Sequence, residues 1–147
     1  MSDSVEWPYM GTCLCGEIQY EVKQVEAQLG HCHCTMCRKF HGAAFATLGE
    51  AYVENFRWVA GEELLKTYEA PNGTKRKFCD TCGSSLIFVA SNDDGKLVEF
   101  SLGTLDTGDD DLQPDAHIFT NYGACWYKIR DDLPQYGEGR RSTSTTS

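Results

Sequence analysis

The chain has 147 residues, of which 24% are charged, and a formal net charge of −9 at pH 7. This length is typical of a single domain with a buried core. The acidic balance argues against nucleic-acid binding, which needs a basic face. Because no apolar run approaches the roughly 18 residues of a membrane span, no membrane partner is expected either.

Cysteine usage indicates the compartment. The chain contains eight cysteines. Its N-terminus is polar and acidic, whereas a secretory signal would contain an apolar stretch. Thiols stay reduced in the cytoplasm and are then free to bind metal. We therefore expect a cytoplasmic protein. Nothing in the sequence indicates an oligomeric state.

Short strands dominate the predicted secondary structure. After a polar lead-in at residues 1–10, the segment 17–23 alternates polar and apolar residues, the period-two pattern of a half-buried strand. A second strand is expected over 24–31 and a helical turn over 35–40. Apolar or aromatic segments between turn residues predict further strands at 43–48, 56–59, 64–69, 75–78, 84–90, 96–102 and 116–120.

The folded domain is expected to span residues 11–136. The remaining residues, 137–147, are rich in Gly, Arg, Ser and Thr and contain few apolar side chains. Such a segment cannot bury enough surface to offset its conformational entropy, so we expect a disordered tail.

The segment 31–39 has the densest chemistry of the chain, with cysteines spaced as Cys32-x-Cys34-x-x-Cys37. A chain that bends from a strand into a helical turn can point three such sulfurs at one soft ion, and zinc is the first candidate. A catalytic zinc usually has three protein ligands and an open fourth position. The triplet therefore suggests an open site.

Two other interpretations of the triplet are open. His31, His33 or His41 could supply a fourth ligand, which would make the site purely structural. A disulfide is a weaker interpretation, because cysteines this close could form only a strained bridge and would leave the third thiol unpaired.

Two cysteine pairs flank the triplet, and a glycine that permits a tight turn follows each: Cys13-x-Cys15-Gly16 and Cys79-x-x-Cys82-Gly83. Because structural zinc prefers four ligands, the simplest partition joins both pairs in one four-cysteine site and leaves the triplet as a second centre. The competing partition joins one pair to the triplet and strands the other pair. We therefore expect two zinc ions per chain. The remaining cysteine, Cys125, is expected to be a small buried apolar residue.

The order and spacing of these motifs resemble the glutathione-dependent formaldehyde-activating enzyme family, which shares its domain with centromere protein V. The likeness covers roughly residues 10–130. The matching motifs are Cys13-Leu-Cys15-Gly16, Cys32-His-Cys34-Thr-Met-Cys37-Arg38-Lys39 with Gly42-Ala43, Phe78-Cys79-Asp-Thr-Cys82-Gly83, Gly103-Thr-Leu-Asp106, His117-Ile118 and Trp126. The chain departs from the family's pattern at His41, where a small residue is frequent, and at Cys125, where proline is common.

The resemblance implies a mainly β structure, the β-tent fold of several coiled antiparallel sheets organised around zinc–cysteine sites in a single domain. It implies a structural Zn2+ on Cys13, Cys15, Cys79 and Cys82, and a catalytic Zn2+ on Cys32, Cys34 and Cys37. The implied activity is that of a carbon–sulfur lyase, which joins glutathione and formaldehyde, or releases them from S-hydroxymethylglutathione.

The substrate contacts are less sharply defined. Arg38 and Lys39 follow the triplet directly and could pair with the carboxylates of glutathione. His33, His41 and His117 are candidates for proton transfer, although a structural role or simple exposure is the more common reason for a histidine at such positions. An alternative function is a non-catalytic zinc domain for protein interaction. A redox or peptide-repair enzyme is a third interpretation, which would depend on Cys125 as the thiol outside both metal sites.

Overall fold

The computed structural model describes residues 6–140, and its architecture is mainly β with two sheets, which confirms the predicted fold class. A short helix, α1 (Thr35–His41), lies between the third and fourth strands. The strands in chain order are β1 (Tyr9–Thr12), β2 (Gln19–Val22), β3 (Gly30–Cys32), β4 (Ala46–Tyr52), β5 (Phe56–Ala60), β6 (Leu65–Glu69), β7 (Lys75–Cys79), β8 (Ser85–Val89), β9 (Leu97–Ser101), β10 (Leu105–Thr107) and β11 (Ala116–Ile118).

The described residues divide into two compact units. Unit 1 contains the chain up to Ala27 and the segment Gly49–Leu112, and unit 2 contains Gln28–Leu48 and the chain from Gln113 onward. In unit 1, the strands β10, β1, β2 and β5 are neighbours in that order, and all their pairings are antiparallel. Strands β6, β7, β8 and β9 of the same unit form an antiparallel meander.

The core of unit 1 is built around Tyr20, which the alternating pattern of β2 directs inward. Its ring is 2% exposed and stacks on Phe56 with a centroid separation of 5.1 Å. Its hydroxyl donates to Thr104 Oγ1 at 2.6 Å, because that threonine's own proton is given to the Ser101 carbonyl. The buried tyrosine thus keeps a hydrogen-bond partner, as burial requires.

Unit 2 joins three strand segments to the helix. Strand β3 pairs antiparallel with the first part of β4 and parallel with β11. Helix α1 begins after Cys34, whose side chain accepts a hydrogen bond from the helix, and ends at Gly42 with φ of 61°. The left-handed conformation at Gly42 is the usual C-terminal stop of a helix and favours glycine.

Several boundaries differ from the sequence prediction. Strand β1 begins inside the expected lead-in, and Trp7 is buried. The strand expected over 24–31 is reduced to β3, whereas the strand expected over 43–48 continues past Gly49 and ends at Tyr52 as β4. A Cβ at position 49 would lie 2.9 Å from the Phe100 ring, so the glycine serves close packing within a strand. Strand β10 was not predicted.

The first four residues of the predicted tail lie at the end of the described residues. Residues 137–140 are described, and the backbone amides of Phe119 and Asn121 donate to the carbonyls of Glu138 and Gly137. The carbonyls of Gly137 and Glu138 are therefore hydrogen-bonded, and the disordered tail over 137–147 stays a prediction. Residues 141–147 of that predicted tail, like 1–5 of the lead-in, lie outside the described residues.

Within the described chain, no helix combines the length and apolar character needed to cross a membrane.

Candidate metal centres

The two predicted cysteine pairs meet in unit 1. The four sulfurs of Cys13, Cys15, Cys79 and Cys82 lie within 4.8 Å of one another. The sulfurs of Cys13 and Cys15 are 3.5 Å apart, and those of Cys15 and Cys79 are 3.9 Å apart. Four sulfurs around a tetrahedral zinc, each about 2.3 Å from the ion, would be about 3.8 Å from one another. The donor set therefore fits a structural zinc.

Backbone amides around these sulfurs donate hydrogen bonds that stabilise thiolates. The amide of Ile18 lies 3.3 Å from Cys13 Sγ and the amide of Cys82 lies 3.4 Å from Cys79 Sγ, so both donate to sulfur. The glycine after each pair, Gly16 or Gly83, has a φ above 80°, as the knuckle pattern requires. Amide donors stabilise the anionic form of a ligand.

Ser84 connects the two knuckles. Its Oγ accepts a hydrogen bond from the amide of Leu14 at 2.8 Å and lies 3.2 Å from Cys82 Sγ. This serine hydroxyl is the main cause that lowers the pKa of the Cys82 thiol. The contact favours thiolate at a partly exposed sulfur.

The predicted triplet forms the second cysteine group, in unit 2. The sulfurs of Cys32, Cys34 and Cys37 all lie within 4.8 Å of one another. Cys32 ends β3, Cys34 caps α1 by accepting the amide of Cys37 at 3.2 Å, and Cys37 faces the buried side of the first turn. The Cys32 thiol donates to the sulfurs of Cys34 and Cys37, and these hydrogen bonds, followed by burial, raise its pKa. A bound cation would offset this penalty on clustered thiolates.

Histidines surround the triplet without joining it. Within the described residues, the group able to hold an ion there consists of the three cysteines alone. His31 Nδ1 lies 2.8 Å from Thr47 Oγ1, and the ring of His41 meets that of Phe40 edge-on. His33 turns instead to His117. The fourth-ligand interpretation therefore has no support in the geometry.

The two basic residues after the triplet have different environments. Arg38 is partly buried, and its Nε donates to the Tyr122 carbonyl at 3.1 Å, whereas Lys39 is exposed. Arg38 thus ties α1 to the segment after β11. Binding of glutathione carboxylates by Arg38 and Lys39 stays a prediction.

A row of hydrogen-bonded polar side chains beside the triplet was missed from the sequence. His33 Nε2 lies 2.8 Å from His117 Nδ1, and His117 Nε2 lies 3.0 Å from Asp131 Oδ2. Burial lowers the pKa of His33 to about 4, and the hydrogen bond from His117 lowers the pKa of Asp131. The parallel register of β11 with β3 creates this contact across 84 positions of sequence, and no local pattern signals it.

The expectation for Cys125 was wrong. The residue is exposed and follows the buried Ala124, and the next side chain, Trp126, is 71% exposed. A small apolar side chain is not buried by its character alone, because in this turn Ala124 points inward and Cys125 points to solvent. Cys125 belongs to neither cysteine group.

Comparison with known proteins supports the same family as the motifs. A sequence model described as glutathione-dependent formaldehyde-activating enzyme matches residues 8–122. An uncharacterized lyase of Schizosaccharomyces pombe is 29% identical over 110 residues, which cover 75% of this chain and 77% of that protein. A crystal structure of a Rhodobacter sphaeroides protein is 27% identical and has a TM-score of 0.58, covering 71% of this chain and 97% of that one. The chain therefore belongs to the glutathione-dependent formaldehyde-activating enzyme family.

Proposed function

We propose that this protein is a zinc-dependent carbon–sulfur lyase that joins or releases glutathione and a small aldehyde, formaldehyde or a relative. The family supports a glutathione-related activity, and the Schizosaccharomyces pombe relative is named a lyase. The observation that carries the proposal is the three-sulfur group of unit 2, which contains no fourth protein ligand among the described residues.

The reaction itself is a simple addition. The S–H bond of glutathione breaks, its sulfur forms a bond to the aldehyde carbon, and the electrons of the C=O π bond move to oxygen, which takes up the proton. The reverse sequence releases aldehyde and thiol. A zinc ion on the triplet would supply a Lewis acid that favours thiolate at neutral pH and polarises the aldehyde.

The chain's own residues hold and orient the reactants. Cys32, Cys34 and Cys37 would bind the ion, since their sulfurs converge on one point from a strand end and a helical turn. Arg38 and Lys39 lie on the same helix directly after Cys37 and would attract the two carboxylates of glutathione. Arg38 uses its Nε for the Tyr122 carbonyl, which orients the guanidinium.

The four-cysteine group of unit 1 has a different proposed role. Cys13 and Cys15 lie after β1, and Cys79 and Cys82 lie 64 or more positions later, so a zinc ion there would join distant parts of unit 1. All four positions are filled by protein, which leaves none for a substrate. We assign this site to folding.

A mixing assay tests the proposed activity. Zinc-loaded protein is added to glutathione and a series of small aldehydes, and adduct formation is followed by NMR spectroscopy. The parent protein should accelerate formation with at least one aldehyde, whereas Cys34→Ser should lose this acceleration. Cys125→Ser is the matched control, because Cys125 lies outside both cysteine groups, and it should behave like the parent.

The assay also has an outcome that rejects the proposal. If the zinc-loaded parent neither accelerates adduct formation nor binds glutathione, the lyase function is wrong. A non-catalytic zinc domain would then be the better description.

A further inference from the structure

A chain of hydrogen bonds reaches the triplet segment through His33, which lies between Cys32 and Cys34 in the sequence. It runs from Asp131 through His117 to His33, with N···O and N···N distances of 3.0 and 2.8 Å. Both histidines are at most 2% exposed, and the Asp131 side chain is 46% exposed. The chain therefore begins at the surface and ends inside unit 2.

The direction of the hydrogen bonds follows from the donors available. An ionised carboxylate can only accept, so the His117 nitrogen next to Asp131, Nε2, carries a proton. In a neutral His117 imidazole, Nδ1 is then an acceptor, and the proton between the two rings belongs to His33 Nε2. This assignment leaves His33 Nδ1 without a proton. A Cβ added at Gly123 would lie 3.7 Å from this nitrogen, which places it against the segment after β11.

The backbone of His33 is also hydrogen-bonded to β11. The amide of His33 donates to the carbonyl of Ile118 at 2.9 Å, and the parallel register pairs Ile118 with Cys32. Side chains alternate along an extended segment, so the sulfurs of Cys32 and Cys34 face away from the imidazole of His33. Two contacts with β11 thus fix the segment that presents two of the three sulfurs.

We propose that His117 and Asp131 are positioning residues of the triplet centre: they fix the ring of His33 and, through it, the Cys32–Cys34 segment. This inference rests on the proposed function in one respect, that the triplet binds zinc, and it does not depend on the lyase activity. Hydrogen-bonded residues behind metal ligands commonly change metal affinity by about 10–100-fold when they are removed. His33 lies between two ligands without being one, so we expect the lower end of this range, about 10-fold.

Substitutions at Asp131 distinguish loss of the hydrogen bond to His117 from loss of the local turn. Asp131 Oδ1 also accepts the amide of Leu133 at 3.0 Å, which stabilises a turn. Asp131→Ser keeps a hydroxyl for this turn but is too short to reach His117. Asp131→Asn keeps both the turn and an acceptor for His117 Nε2–H. The neighbouring Asp132→Ala removes a charge at an exposed position and is the control.

The first measurement is NMR spectroscopy of the full zinc-loaded chain with 15N-labelled histidine. We expect protonated Nε2 and unprotonated Nδ1 in both His33 and His117, with Asp131→Ser removing the hydrogen-bonded Nε2–H signal of His117. The reverse tautomers, or an unchanged signal in Asp131→Ser, would overturn the proposal. This readout does not depend on activity, so it stands apart from failure of the lyase function.

The second measurement is zinc release to a chromogenic chelator. Asp131→Ser should release one of two zinc ions roughly 10-fold faster than the parent, while Asp131→Asn and Asp132→Ala should match the parent. Release rates of folded Asp131→Ser equal to those of the parent would reject the positioning role. Equally fast release from Asp131→Asn would also reject it, because that variant keeps the acceptor.

Discussion

The sulfurs of Cys15 and Cys79 lie 3.9 Å apart although 64 positions separate the residues in the chain. Each sulfur belongs to a short knuckle that turns at a glycine with positive φ, and Cys79 also ends β7. A metal ion shared by the two knuckles would therefore close a long loop of unit 1. Closing a long loop restrains more chain entropy than closing a short one.

This relationship predicts that Cys79→Ser is a folding variant. Structural zinc contributes roughly 10–16 kcal/mol of apparent binding free energy in small zinc peptides, which exceeds or equals the stability of most domains. We expect Cys79→Ser to lose most of its soluble yield and any cooperative thermal transition. Cys34→Ser changes a site that closes only a short loop, so it should stay soluble with a melting temperature near that of the parent.

The pair of variants decides which centre is structural. Soluble yield, melting temperature and zinc content are measured for both under the same conditions. Equal loss of folding in Cys34→Ser and Cys79→Ser would show that the triplet is also structural, contrary to its proposed catalytic role.

Metal content gives a second, independent prediction. Seven sulfurs divided into groups of four and three exceed what one tetrahedral ion can bind, so metal-replete protein should contain two zinc ions per chain. Elemental analysis after gel filtration measures this ratio. Cys34→Ser should retain one ion, and Cys125→Ser should retain two. A ratio of one in the parent would contradict the two-centre arrangement.

The sequence was informative wherever the relevant interaction is local. The spacing of Cys32, Cys34 and Cys37 predicts their convergence because a strand end and a helical turn follow each other directly. The alternation in β2 predicts the inward side of Tyr20 for the same reason. Both patterns depend on neighbours within a few positions.

Long-range packing explains what the sequence did not reveal. Gly49 is a turn residue by propensity, but the Phe100 ring lies against it and keeps it in β4. His117 meets His33 only because β11 lies beside β3 in a parallel register. Such contacts are set by the topology of the sheet, and single-sequence periodicity carries no information on which strands become neighbours.

Gly11 gives a sharp prediction on packing. A Cβ at this position would overlap the ring of Tyr20, which is held among other aromatic side chains and cannot move aside freely. Gly11→Ala should therefore lower the free energy of unfolding by about 1–3 kcal/mol, as overpacking of cores does. Denaturant titration measures the change.

Gly103→Ala is the matched control for this substitution. A Cβ at position 103 would meet no heavy atom within 4 Å, and the residue lies on an exposed turn. Its effect should stay within about 0.5 kcal/mol, the usual range for surface substitutions. If both glycines tolerate alanine equally, the close contact of Gly11 with Tyr20 is not a determinant of stability.

Glu99 on β9 predicts how stability depends on pH. Burial, followed by the charges of Glu50 and Asp93, raises the pKa of its carboxyl to about 7 from an ordinary value of 4.5. Between these two values the folded protein binds more protons at this group than the unfolded chain, so the free energy of unfolding falls as pH rises. The destabilisation is complete above the folded pKa and absent below the unfolded one. Glu99→Gln keeps the size of the side chain without its charge, so at pH 8 it should be more stable than the parent by on the order of 3 kcal/mol, with the difference vanishing near pH 4.5. Denaturant titrations of zinc-loaded parent and variant at pH 5, 6, 7 and 8 measure this difference, and the titration of the cysteine ligands largely cancels because both proteins share it. A stability difference that does not grow with pH over this range would show that Glu99 is not the group whose ionisation opposes folding.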